Sequence, residues 1–415
     1  MKIYNYCFFV LTVALLLGCT EYKDIVDSAE FKPISISVTN VVALDNVKQV
    51  KDMTIKLDNY RENIHIVKSM TELKVELTDV LPGLYNITID GQVITTDGET
   101  FMLNGSLVNY PLTKDNEALT LNVKKSRLGD LVFSEIYYAG TPKYYFRDQF
   151  YEVYNNSTQM MYLDGLYFAN LTPGTATDKL PQWPEEDGDL YCYAERVWQF
   201  PGSGTDYPLN PGESCVISQF AANHQLEQYN PDSPIDCSSS EFEFNMNNPK
   251  FPDQPAVNMV HVFYDGLADL GRIPQYLTSV FGGAYVIFQV PEGATYDPVN
   301  DEALHTLDLS SSRSKVFAKI PIDYVLDAVE CGHNETKISA KRVPGLLDSG
   351  MTWVGNTYNK LGVTRKVVGV KPDNTPIYQD TNNSTEDFER GVSPMFRRNG
   401  SKMPSWNHTL NKTLN

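Results

Sequence analysis

The sequence predicts an all-β chain built as two antiparallel β-sandwiches, the second carrying long loop insertions. Three observations carry that prediction. Short segments of alternating apolar and polar residues recur between residues 33 and 125, as strands do when one face is buried and the other wet. Stretches rich in Pro, Gly, Asn and Asp separate the apolar segments, and no later apolar run approaches the roughly 18 residues of a membrane-spanning helix. The 415 residues exceed what one domain usually holds, and 42% apolar with 12% aromatic residues suffice for more than one core.

Taken in order, the first element is a targeting segment. Met1-Lys2 precedes an apolar core from Phe8 to Leu17 broken only by Thr12, and Leu16-Leu17-Gly18 leads into Cys19. A core of about ten residues is too short for a bilayer that takes roughly 20 helical residues to cross. The pattern resembles the bacterial lipobox, in which a small residue precedes a cysteine that is acylated through its sulfur and retained at a membrane. That resemblance implies a signal peptide over 1–18, lipidation at Cys19 and a membrane partner reached through the lipid. Residues 19–32 read as a tether, polar and without a sustained period, with Glu21, Asp24, Asp27 and Glu30. Acids close behind a lipidated cysteine resemble the export signal that takes some Gram-negative lipoproteins to the outer face of the outer membrane. Asp27-Ser28-Ala29 resembles the O-glycosylation acceptor of the same bacteria, which makes Ser28 a candidate glycan site.

Charge narrows the partners. Lys and Arg total 34 against 52 Asp and Glu, a net charge of −18, and loss of the first 18 residues with their one Lys leaves −19. Phosphate backbones require a basic surface, so nucleic acid is not an expected partner. Six cysteines less Cys7 in the signal and Cys19 leave Cys192, Cys215, Cys237 and Cys331. Export to an oxidising compartment permits a disulfide among them, most plausibly within the first three, while burial as small hydrophobes is the alternative. No C-x-x-C or paired His spacing supports a structural metal, and no cofactor is expected.

Strand alternation places Ile34, Ile36 and Val38, then Met53, Ile55 and Leu57, then Leu73, Val75 and Leu77, then Leu119, Leu121 and Val123 on buried faces. Leu81-Pro82-Gly83-Leu84-Tyr85, running into Asn86-Ile87-Thr88-Ile89, resembles a segment of bacterial immunoglobulin-like and carboxypeptidase-regulatory-like modules. In those modules a Pro-Gly turn feeds a strand whose Tyr packs inward. The resemblance implies an Ig-like sandwich over 33–125 that acts as a spacer or docking unit.

The second region, 128–392, resembles lamin-tail domains on four segments in the family's order. Asp130-Leu131-Val132-Phe133-Ser134-Glu135-Ile136 stands for its opening strand. Phe150-Tyr151-Glu152-Val153-Tyr154-Asn155 and Leu163-Asp164-Gly165 follow, and Leu209-Asn210-Pro211-Gly212-Glu213 matches its turn into Val216-Ile217. Ser339-Ala340-Lys341-Arg342 and Tyr378 to Ser384 resemble a further segment of bacterial members, and residues 393–415 read as a C-terminal tail. The whole order resembles an uncharacterised family of bacterial surface lipoproteins. Insertions at about 170–208 and 218–282 go beyond the sandwich and are aromatic. Ordered aromatic loops either cap a fold or contact a ligand, and Trp183, Tyr191, Trp198 and Phe242 are the candidate contacts.

No His-Glu-x-x-His, phosphate-cradling loop or Gly-x-Ser-x-Gly elbow is present, so no catalytic residue is assigned. Glu135 and Glu152 have the residue types of a glycosidase pair, but their places in the lamin-tail resemblance imply carboxylates that accept backbone hydrogen bonds. Asp380, Asn382 and Ser384 alternate like a calcium loop, yet Thr385 and Gly391 stand where an EF-hand needs Gly and Glu, so an Asx-type turn is expected. The expected function is non-catalytic: a surface component that binds a small-molecule or glycan ligand for an outer-membrane transporter. Adhesion or scaffolding is the alternative, and a hydrolase a third.

Overall fold

A computed structural model describes residues 32–41, 47–96, 100–126, 129–177, 179–188 and 190–410. Cys19 and Ser28 lie outside them. The expected all-β class holds: almost every element is a strand, and no helix among the described residues is long and apolar enough to cross a membrane.

The N-terminal strands are β1 (Ile34–Val41), β2 (Val47–Asn59), β3 (Ile64–Met70), β4 (Lys74–Val80), β5 (Gly83–Thr95), β6 (Thr100–Leu112), β7 (Glu117–Asn122) and β8 (Lys124–Ser126). They form two sheets, ordered β4-β1-β7 and β3-β2-β5-β6-β8, with one parallel pair, β1 with β7. Alternation does what the sequence predicts. Val38, Ile55, Leu57, Ile87, Ile89 and Leu103 are wholly buried between the sheets, each such side chain contributing about 1.5–3 kcal/mol by its removal from water. Tyr85 also packs inward, and its hydroxyl donates to the Leu81 carbonyl at 2.8 Å, tying the Pro-Gly turn to the strand it feeds. A bulge in β2 brings the Met53 backbone against β5 at Gly91, where a Cβ would stand 2.4 Å from the Met53 Cα. Glycine there is a condition of the pairing.

The remaining strands begin with β9 (Leu131–Tyr137) and β10 (Phe150–Asn155), which lie side by side in a seven-stranded sheet. Ser214–Ser218 flanks β10, and Gly362–Arg365 and Phe388–Val392 extend the sheet beyond β9. An eight-stranded sheet is built around Tyr167–Leu171, Tyr191–Gln199, Ala284–Phe288 and Val325–Gly332. Phe133, Tyr151 and Ile217 from the first sheet meet Phe168, Trp198 and Tyr285 from the second in one aromatic core. The strand Tyr191–Gln199 falls inside the segment 170–208 that reads as a loop. It pairs with three other strands and is covered on both faces, so its sequence needs no alternation.

The outer face of the seven-stranded sheet is covered as well. Residues 393–410, which the sequence marks as a tail, lie across it. Phe396 packs edge-on to Phe150 with ring centroids 4.7 Å apart. Further on, Trp406 turns to the edge of the aromatic core, packing against Tyr207 and Phe242 and donating from Nε1 to the Pro208 carbonyl at 2.7 Å. Ser214 N donates to Lys402 O at 2.9 Å.

No disulfide forms among the described residues, which corrects the expectation. Cys192, Cys215, Cys237 and Cys331 are all buried thiols. Each is a core residue of a different strand or loop: Cys192 sits in the layer outside the eight-stranded sheet, Cys215 and Cys331 in the aromatic core, and Cys237 against the Asp148 carbonyl at 3.7 Å. Burial holds the thiols of Cys215, Cys237 and Cys331 well above their ordinary value. They behave as small hydrophobes.

Candidate functional site

The four candidate aromatics separate into two pairs. Trp198 and Phe242 are wholly buried: Trp198 packs on Phe244, His261 and Tyr276, and Phe242 on Phe200, Tyr207 and Trp406. They are core, which corrects their assignment as contacts. Trp183 and Tyr191 instead border one cleft with a cavity volume of about 320 Å³. This is within the size range that takes a small ligand.

The cleft is assembled from both halves of the chain. Ser106, Leu107 and Val108 of β6 form one wall, Trp183, Tyr191 and Tyr193 another, and Lys341 to Gly345 close the floor. A Cβ on Gly345 would come within 2.0 Å of the Ser106 hydroxyl, so a residue without a side chain lets the two halves meet there. Nearby, Asn104 Nδ2 donates to Asn382 O at 3.0 Å and Lys56 Nζ to Glu386 Oε1 at 2.8 Å.

Each aromatic platform is backed on one side. The Trp183 ring lies parallel to Tyr193 with centroids 4.0 Å apart, and Phe317 meets it edge-on at 5.6 Å. Lys319 sits over the Tyr191 ring at 4.3 Å while donating to Asp187 Oδ1 at 2.6 Å. Backing of this kind fixes the rings before any ligand arrives. The cations near the cleft are engaged internally. Arg342 donates from Nε to Glu330 Oε1 at 2.8 Å, from Nη1 to Pro173 O at 2.9 Å and from Nη2 to Cys331 O at 3.1 Å. Lys341 donates to Val343 O at 2.5 Å, and burial lowers its pKa against the opposing pull of Asp348 and Glu330.

Glu135 and Glu152 stand opposite each other on β9 and β10, on the outer face beneath residues 393–410. Met395 N donates to Glu135 Oε1 at 2.7 Å and Arg397 N to Glu152 Oε2 at 3.0 Å. Arg398 Nε reaches Glu135 Oε2 at 2.7 Å, and Arg397 pairs with Glu241. Burial raises the carboxyls of Glu135 and Glu241 and pushes Glu152 up to about 7. These acids accept backbone hydrogen bonds under a covered face. Another buried network surrounds Arg365, whose guanidinium reaches Asp327 at 2.7 Å, Asp380 at 3.0 Å and Asp387 at 3.5 Å. One cation cannot neutralise three carboxylates, and burial together with that crowding raises Asp327 and Asp387. Asp380 is thus an ion-pair partner, and Asn383 caps the short helix Ser384–Asp387 by accepting from Thr385 N at 3.1 Å. The sequence motif there builds a turn.

The histidines are dispersed. His224 bonds Tyr145 and the Phe220 carbonyl, His261 bonds Arg196 and Ala268 O, and His65 bonds Asp58 at the exposed end of β2. Burial depresses His224 and His261 to about 4, which keeps both neutral. A second cavity, about 380 Å³, is bordered by Asn170, Glu195, Thr278 and Phe281, and its carboxylate is held by Lys315 at 2.5 Å. Sequence reasoning missed Ser106 and the Lys341–Gly345 floor of the first cleft. Tyr193 was signalled by its aromatic insertion, whereas nothing local could announce that β6 would meet residue 345.

Comparison with known proteins bears on the same regions. Residues 210–395 match a family described as "Protein of unknown function (DUF4876)". A crystal structure of a DUF4876 family protein from Bacteroides thetaiotaomicron is 58% identical over 91% of this chain and 100% of that one, with a TM-score of 0.67. This chain belongs to the DUF4876 family. No match was found among curated proteins. The family match takes in the strand Ser214–Ser218, the floor residues 341–345 and the Arg365 network, while the cleft walls at 106–108 and 172–193 lie before it.

Proposed function

We propose that this DUF4876 protein is a non-catalytic, lipid-anchored binding protein of the bacterial outer membrane. In this reading it is displayed at the cell surface through Cys19 and serves an outer-membrane transporter by capturing a ligand in the cleft between β6 and residues 183–193. Its N-terminal sandwich is immunoglobulin-like or carboxypeptidase-regulatory-like, and its second part is a lamin-tail-like sandwich elaborated by insertions. The observation that carries the reading is the convergence of Trp183, Tyr191 and Tyr193, each in a fixed pose, on a cleft that both halves of the chain must meet to form. The lipobox pattern before Cys19 and the acidic tether support the surface location.

The test is thermal unfolding of the chain from Thr20 onward against glycans, peptides, haem, ferric siderophores and divalent metals. A ligand of the folded state at a hundred times its dissociation constant adds about 2.7 kcal/mol of stability. A saturable shift that Trp183→Ala abolishes supports capture at the cleft, and an unshifted midpoint across the panel removes it. Labelling of the full-length chain with a radioactive fatty acid, lost in Cys19→Ala, tests the anchor. A second reading, scaffolding, is favoured by the hairpin Val367–Val370 with Pro376–Tyr378, whose Val368 and Val370 are more than 60% exposed. Val368→Lys with Val370→Lys separates the two, since it leaves ligand capture intact and disrupts a protein contact there.

A further inference from the structure

Resting on the reading of the cleft as a ligand site, we infer that its ligand is a neutral saccharide. The first argument is charge. Lys319, Lys341 and Arg342 all stand at or beside the cleft, and on sequence alone would suggest an anion site. Each already has its counter-charge in the protein: Lys319 is paired with Asp187, Arg342 with Glu330 and two backbone carbonyls, and the buried Lys341 donates to Val343 O with Asp348 and Glu330 opposite it. A carboxylate or phosphate entering the cleft would lose its water without gaining a cation in exchange, which disfavours it.

The second argument is shape and surface. The lining combines the aromatic residues Trp183 and Tyr191 with the hydroxyl-bearing residues Ser106, Thr172 and Tyr191. Sugars present C–H groups on one face of the ring and hydroxyls around its edge, and rigid amphipathic aromatics with a few hydroxyl partners match both. Trp183 is held by Tyr193 behind it and Phe317 at its edge, so little rotamer freedom is lost on binding.

The third argument sets a peptide aside. A peptide strand would need the outer edge of β6, yet Gly345 abuts Ser106 and Asn109 Nδ2 donates to Ser339 O at 3.1 Å. Only Leu107 and Val108 lie between those two contacts, too short a stretch for strand addition, in which affinity comes from a run of main-chain hydrogen bonds.

The experiment uses the chain from Thr20 onward and isothermal titration with neutral gluco-, manno- and galacto-oligosaccharides, with oligogalacturonides and with a mixed tryptic peptide pool. Binding of at least one neutral series is expected, weakened at least about tenfold in Trp183→Ala and in Tyr191→Ala. Trp183→Phe, which keeps an aromatic ring over Tyr193, should stay within about threefold of the parent and guards against loss of fold. Trp183-dependent binding of only oligogalacturonides or peptides overturns the saccharide inference and leaves the cleft a ligand site. Saccharide binding indifferent to both alanine variants overturns its placement here. Absence of binding by all three probes overturns the inference, and the wider ligand panel then decides the fate of the cleft itself.

Discussion

Replacing Glu152 by Gln should change how stability depends on pH, in a direction the structure dictates. Glu152 is buried on the outer face of β10, opposite Glu135 and beneath Arg397. Burial dominates its environment and pushes the carboxyl from 4.5 to about 7, although Ser214 and Arg397 pull the other way. Between those two values the folded state holds a proton that the unfolded state has released, so stability is highest at the acid end and falls as pH rises. The penalty accumulated by pH 7.5 is about 3 kcal/mol, at roughly 1.4 kcal/mol for each unit of displacement. Gln cannot ionise, and its carbonyl can still accept from Arg397 N. Glu135, Asp148 and Asp327 also lie above their ordinary range, but they titrate in both proteins and largely cancel in the difference. Urea unfolding of parent and Glu152→Gln from pH 4.5 to 7.5 should therefore show the variant gaining about 3 kcal/mol on the parent across that range. Parallel pH profiles would refute the reasoning, and a variant that loses ground as pH rises would reverse its sign.

Arg365→Ala strands Asp327, Asp380 and Asp387 in the interior and should cost about 3–5 kcal/mol or abolish folding, read by denaturant midpoint and soluble yield. Ending the chain after Val392 uncovers Phe150, Glu135, Glu152 and Glu241; the product should bind a hydrophobic dye and lose its cooperative transition. Ellman titration of the chain from Thr20 should find no reactive thiol in the native protein and four after denaturation, and a reductant should leave the unfolding midpoint unchanged. Tyr85→Phe removes the hydroxyl with its bonds to Leu81 O and to the Asn59 side chain and should lower stability by about 1 kcal/mol in chemical denaturation.

The contrast between the two halves shows what a sequence reveals. In β4, Val75 and Leu77 face the core while Lys74 and Glu76 face water, so a period of two is printed in the residues themselves. The strand Tyr191–Gln199 is covered on both sides and needs only to be apolar or internally paired throughout, so Tyr193, Arg196 and Trp198 erase the period and the strand reads as loop. The same double coverage hides the role of residues 393–410. Their Arg397, Arg398 and Trp406 look like a polar tail until Glu135, Glu241 and Tyr207 supply the matching surface. Trp183 and Tyr191 were legible as aromatics in an insertion, but so were Trp198 and Phe242. Only the packing of other segments decides which pair borders open space and which is core. The cysteines were ambiguous for a related reason: pairing depends on Cβ geometry across the fold, which spacing along the chain does not encode.

Residues 393–410 are synthesised after every strand they cover. A nascent chain can pair β9 with β10 and Ser214–Ser218 long before those residues exist, yet it then carries three carboxylates and a row of aromatics with nothing over them. Closure of that face therefore comes after the strands beneath it have been made. A chain cut short by a few dozen residues keeps nearly all its strands but cannot seal its second layer, which leaves it open to proteases and to association with other unsealed chains. Sealing of the second layer is in this way tied to synthesis through residue 410.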